Sequence, residues 1–94
     1  MLTITEDTKG TVSFSGELNI HNLEKLRDKL NRYLREGRDL FFDFKRVTII
    51  DTAAIQLLIS FKKSCDRVNK RLTIELSPTI QKTLETMGIR GVFR

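Results

Sequence analysis

The chain is 94 residues long, with a formal net charge of +5, 39% hydrophobic residues and 31% charged ones. That is the size and make-up of one small globular domain, expected to run over residues 1–94. Its single cysteine, Cys65, excludes an internal disulfide framework, and with one histidine, His21, leaves no Cys- or His-rich metal site, so no metal and no cofactor is expected. No apolar run approaches the roughly 20 residues of a membrane span, and Met1-Leu2-Thr3-Ile4-Thr5 lacks the basic and long apolar regions of a signal peptide. A cytoplasmic protein without membrane insertion is expected.

In chain order, Leu2 to Glu6 and Thr11 to Ser15 are rich in Thr, Ile, Val and Phe, with Lys9-Gly10 between them, and predict a β-hairpin. Gly16-Glu17-Leu18-Asn19 is expected to turn the chain, with Asn19 capping the segment after it. Leu23, Leu26, Leu30 and Leu34 recur at spacings of three and four, the mark of one apolar helix face, and Gly37 is expected to end that helix. Asp39 to Phe44 suits a buried strand, and Val47 to Ile50 leads on to Asp51-Thr52. From Ala53 to about Asn69, Ala54, Leu58, Phe61, Cys65 and Val68 form a second stripe, widened by Ile55 and Ile59. Leu72 to Leu76 is another strand. Ser77-Pro78 opens a last helix with Ile80, Leu84 and Met87 inward, closed by Gly88. A strand, helix, strand succession of this length implies a parallel pair with a right-handed crossover. The predicted architecture is α/β: a four-stranded mixed sheet carrying three helices.

The basic residues fall into two sets. Lys25, Arg27, Lys29, Arg32, Arg35 and Arg38 are interleaved with Glu24, Asp28, Glu36 and Asp39, the pattern of a solvated helix face. Lys62, Lys63, Arg67, Lys70 and Arg71 are diluted only by Asp66 and suit an acidic protein surface, an anionic membrane surface or nucleic acid. Phe41, Phe42, Phe44 and Phe61 lie in apolar runs, not between exposed bases, so stacking on single strands is not suggested and no nucleic-acid partner is expected.

The most informative stretch is Val47 to Leu58. An apolar run stops at Asp51-Thr52, two alanines follow, and then a helical apolar pattern begins. Either Asp51 or Thr52 can be the N-cap, its side-chain oxygen accepting from an orphan backbone N–H at about 1 kcal/mol of stability. No Glu or Gln stands three residues after either one, so no capping box supports this start. From spacing alone, Thr52 reads first as a structural cap. Its place at the positive end of a helix dipole, beside the small side chains of Ala53 and Ala54, also suits a phosphate that switches a protein contact. Asp51 can cap, orient the Thr52 hydroxyl or bind Mg²⁺, and one carboxylate is a poor metal site. Cys65, on the apolar stripe, reads as a small core hydrophobe. No Gly-rich phosphate loop and no nucleophile, base and carboxylate constellation is evident, so a binding protein, not an enzyme, is expected.

Taken together, Gly16-Glu17-Leu18-Asn19, then Asp51-Thr52-Ala53-Ala54 before an apolar helix, then Leu72 to Pro78, resembles the STAS domain of bacterial anti-sigma factor antagonists over nearly the whole chain. The resemblance implies a mixed sheet containing a βαβ unit and a partner-switching role in transcription regulation. An anti-sigma factor kinase would phosphorylate the residue after the motif Asp, here Thr52. The unmodified form would bind that kinase, the phosphorylated form would release it, and a phosphatase would reset it. Asn19, Asp51, Thr52, Ala53, Ala54 and Gln56 are the implied partner-binding residues. Asn19 stands where the family often has Asp, and Ala54 where it usually has Gly. Longer members carry a final strand and helix past the position of Arg94. Asp51-Thr52-Ala53 is also similar to the STAS subunits of lipid-transporting ABC complexes, which bind the transporter ATPase without being phosphorylated, and to STAS proteins of chemotaxis clusters.

Overall fold

A computed structural model describes residues 1–89. The elements are β1 (Leu2–Glu6), β2 (Thr11–Leu18), α1 (Leu23–Arg35), β3 (Leu40–Ile50), α2 (Thr52–Arg67), β4 (Leu72–Leu76) and α3 (Pro78–Thr86), with a 3-10 turn at Ile20–Asn22 ahead of α1. The four strands lie side by side in sequence order. β1 pairs with β2 antiparallel, while β2 with β3 and β3 with β4 are parallel. The expected four-stranded mixed sheet with three helices is therefore present. Both parallel crossovers step the same way across the sheet, so their right-handed sense puts α1 and α2 on one face, where they pack against each other.

That face is the core. Val12 and Phe14 of β2 and Phe42 and Phe44 of β3 are buried beneath Leu26, Leu30 and Tyr33 of α1 and Ala54, Ile55, Leu58, Phe61 and Cys65 of α2. The aromatic rings interlock. Phe14 meets Phe42 and Phe44 edge-on at 5.0 and 4.7 Å, and Phe61 stacks on Phe42 at 5.7 Å. Burying a side chain of this size stabilises the fold by about 1.5–3 kcal/mol. The opposite face is polar, with Thr3, Thr5, Lys45, Thr73 and Glu75 exposed.

Four expectations need correcting. Gly16-Glu17-Leu18 does not turn the chain but continues β2, and the turn comes at Asn19. Gly16, at φ +101°, faces Leu2 across the hairpin, and a Cβ there would lie 2.0 Å from the Met1 carbonyl oxygen. Close approach of two backbones therefore explains this glycine. The helix α1 ends at Arg35 with Glu36 as C-cap, so Gly37 does stand just past its end, but not as a left-handed cap: Glu36 is already extended, and Lys70 Nζ donates to the Glu36 and Arg38 carbonyl oxygens. The two runs Asp39–Phe44 and Val47–Ile50 are one strand. Val68 and Met87, read as inward, are 58% and 43% exposed.

Candidate functional site at the start of helix α2

β3 is delivered to the site by two irregularities in its pairing with β2. Ser13 to Ser15 on β2 spans Asp43 to Arg46 on β3, and Gly16 to Glu17 spans Val47 to Ile49, so β3 carries an extra residue at each place. Such bulges re-aim side chains. Val47 and Ile50 stay buried, while Ile49 turns out to 52% exposure. The strand then ends with the Asp51 N–H donating to the Leu18 carbonyl at 3.0 Å, which fixes the start of α2 beside the end of β2.

Of the two candidate caps, Asp51 is the one used. Its Oδ1 accepts from the Ala54 N–H at 3.0 Å, the N-cap bond of α2, and its Oδ2 accepts from the Ile20 N–H at 2.9 Å. One carboxylate thus joins the first turn of α2 to the 3-10 turn before α1. Asn19 caps that 3-10 turn, accepting from the His21 N–H at 3.1 Å, and its Nδ2 donates to Glu17 Oε2 at 3.4 Å. Asn22 Nδ2 ties the turn back to the Glu17 carbonyl at 2.8 Å. Asn19 and Asp51 are both committed to internal bonds that hold this end of the molecule together.

Thr52 is different. It is the first residue of α2, it is exposed, and its side chain makes no hydrogen bond among the described residues. Gln56, one turn on, is also exposed, and Ala53 is half-buried. Ala54 is fully buried and faces the core, so it adds no side chain to the outer surface. The structure thus gathers Asn19, Asp51, Thr52, Ala53 and Gln56 at one end of the molecule. Two residues there escaped the sequence reading. Ile20, 65% exposed, and Ile49 are large apolar residues with solvent-facing side chains. Single exposed apolar residues are commonplace, but here Ile20 donates its N–H to Asp51 and Ile49 precedes it by two residues, so both belong to the same end of the molecule as Thr52. The signal for Ile49 was its neighbour: in Ile49-Ile50 only one of two successive strand residues can face the core.

A family model described as the STAS domain matches residues 1–94. The chain belongs to the STAS domain family. Among solved structures, this STAS domain is similar to the anti-sigma factor antagonist SpoIIAA in its unphosphorylated form, at 23% identity and a TM-score of 0.68, covering 90% of this chain and 82% of that one. The Bacillus cell fate determinant SpoIIAA in its phosphorylated form gives 23% identity and a TM-score of 0.68, covering 95% and 85%. An anti-sigma factor antagonist STAS domain from Rhodobacter sphaeroides gives 21% and 0.62, covering 84% and 92%. No curated protein sequence matches. At these identities the likeness establishes the fold. No helix among the described residues of this STAS domain is long and apolar enough to cross a membrane.

Proposed function

We propose that this STAS domain is a regulatory binding module of the anti-sigma factor antagonist type, controlled by phosphorylation of Thr52. It is a cytoplasmic, non-enzymatic partner-switching protein of transcription regulation, and its partner is an anti-sigma factor kinase. The observation that carries this reading is the division of labour at α2. Asp51 does all the capping, so the exposed Thr52 hydroxyl has no structural bond to lose on modification. The partner surface is built from Asn19, Thr52, Ala53 and Gln56 with Ile20 and Ile49, held in place by Asp51. A phosphate adds nearly two negative charges and a large hydrated group to this surface. Leaving that charge unpaired in an interface costs on the order of 3 kcal/mol, about a hundredfold in affinity. SpoIIAA, which shares the fold, has been solved in both phosphorylation states, which supports the same logic here.

The alternative is a constitutive STAS subunit of a lipid-transporting ABC complex or of a chemotaxis-associated assembly, favoured by the Asp51-Thr52-Ala53 start. One experiment separates the two. Tagged wild-type, Thr52→Ala and Thr52→Asp chains are recovered from the native host, and co-purifying proteins and intact masses are measured. The switch predicts a kinase with wild type and Thr52→Ala, its loss with Thr52→Asp, and one phosphate on wild type at Thr52. Equal recovery of a transporter ATPase by all three, with no phosphate, establishes the alternative.

A further inference from the structure

The second basic set, around the end of α2, plays no part in the Thr52 surface. α1 and α2 both start beside Asp51 and both end at the far pole. There Leu34, Arg35, Gly37, Val68, Asn69 and Lys70 line a shallow depression of about 290 Å³. With 16 residues at 1.5 Å each, α2 separates this pole from Thr52 by about 24 Å.

The carboxylates at this pole are all engaged internally. Glu36 holds Arg32 and Arg38, Asp66 holds Lys62, and Asp39 Oδ1 accepts from the Arg71 backbone N–H at 3.0 Å. Lys70 is buried against two carbonyl oxygens. Arg35, Lys63, Arg67 and Arg71 remain, all exposed and without a salt bridge among the described residues. Arg67 reaches only the Ser64 hydroxyl, at 3.5 Å. Even Arg38 is not saturated: its Nε lies 3.1 Å from Glu36 Oε2, yet the buried N–H is misaligned and has no hydrogen-bond acceptor. Val68, 58% exposed, lines the depression together with Arg35 and Arg38 and lies between Arg67 and Arg71 in the chain.

We propose that this pole is a second docking surface, for a carboxylate-rich segment of a protein partner that places an apolar side chain against Val68. Arginine around an apolar centre is the composition of protein interfaces, and free guanidiniums match carboxylates bidentately. A lipid headgroup layer fits less well. The surface is concave, Glu36 and Asp39 line it, and its one exposed apolar residue, Val68, falls short of the stripe that interfacial anchoring takes. None of the residues lining the depression is aromatic, so base stacking has no platform. The Debye length at physiological salt is about 8 Å, a third of the distance to Thr52, so this surface works independently of the Thr52 switch.

The test is a titration of the ¹⁵N-labelled protein with a short synthetic peptide of glutamates around a central leucine. Controls are a glutamine analogue and phosphatidylcholine–phosphatidylglycerol vesicles. Expected are amide shifts confined to residues 34–39 and 66–71, weakened by salt and absent with the glutamine analogue. Combined Arg35→Glu, Arg67→Glu and Arg71→Glu substitution lowers affinity about tenfold. Arg27→Glu with Lys82→Glu leaves it near the wild-type value, and so does Thr52→Asp. The proposal is overturned by the absence of shifts, by shifts spread over the basic face of α1, by an equal loss in the Arg27/Lys82 pair, or by vesicle binding without peptide binding. The wild-type shift map decides the matter even if the charge-reversed variant does not fold.

Discussion

The Asp51 carboxylate accepts two backbone N–H groups from two separate segments, one of them 31 residues away in sequence, and its removal tests how this end of the molecule is built. Asp51→Ala deletes the cap on the Ala54 N–H, worth about 1 kcal/mol. It also deletes the bond from the Ile20 N–H, where a charged acceptor contributes about 1.5–3 kcal/mol. Ile20 is 65% exposed, so water replaces much of that second bond and the low end applies. The sum is about 2–3 kcal/mol, or roughly 10–20 °C in Tm for a domain of this size. Asp51→Asn keeps one acceptor oxygen for Ala54 but turns an amide donor toward Ile20, so about half the loss is expected. Urea titration gives the stabilities, and amide exchange locates them: Asp51→Asn should lose protection at Ile20 while keeping it at Ala54. If Asp51→Ala lies within about 0.5 kcal/mol of wild type, the carboxylate is not the clamp deduced from its geometry.

Thr52→Ala should leave stability within about 0.5 kcal/mol of wild type by urea titration, because its side chain bonds to nothing among the described residues; a loss above about 1 kcal/mol would make it a structural cap after all. Gly16→Ala should destabilise by at least about 2 kcal/mol in the same assay, since φ +101° is strained for any Cβ and the Met1 carbonyl occupies its place. Lys70→Met retains the stem but strands the Glu36 and Arg38 carbonyls; about 3 kcal/mol is expected, and less than about 1 would refute the buried-cap role. The Tyr33 hydroxyl, with Arg32 and Lys29, holds the Glu6 carboxyl below its usual value, and the Thr11 and Lys9 N–H groups do the same for Asp7. Folded-state values below unfolded ones mean that this stabilisation is complete above roughly pH 5 and declines as pH falls through the folded values. The urea midpoint of wild type should drop on acidification, and Glu6→Gln should show a shallower drop.

Much of the fold was legible because periodicity reports burial directly. The Leu26–Leu30 face, the Ala54–Leu58–Phe61–Cys65 stripe and the hairpin of Leu2–Glu6 with the Thr11–Ser15 run are all present in the fold. Misreadings cluster where a regular period ends. Val68 and Met87 continue the helical spacing in sequence, but each is a C-cap residue whose ψ has moved to near zero, followed by a left-handed Asn69 or Gly88 that turns the chain away. β3 was split in two because its bulges change the burial period from two to three after Phe44. Tyr33 is absent from the leucine spacing that marks α1, yet Glu6 Oε1 accepts from its hydroxyl at 2.6 Å and lets the ring be wholly buried. At the candidate site, Asp51 and Thr52 were found from spacing, but which of them caps was not. That choice depends on the Ile20 N–H, which only the folded chain brings to the carboxylate.

That choice also bears on how a phosphate on Thr52 would act. The first N–H groups of a helix have no intrahelical acceptor. In α2 Asp51 takes that of Ala54, leaving those of Thr52 and Ala53 without a partner among the described residues. A phosphate on the Thr52 side chain lies within reach of these donors and of the positive helix end, each favouring it, while the Asp51 charge next door opposes it. Within the domain these effects oppose each other, so a phosphate there would change stability only by their difference. Under the proposed switch, a phosphate at Thr52 would have to be buried by the partner contact, where its charge would be unpaired. A modification at Thr52 would therefore act, under that switch, on affinity more than on folding, as a reversible switch requires.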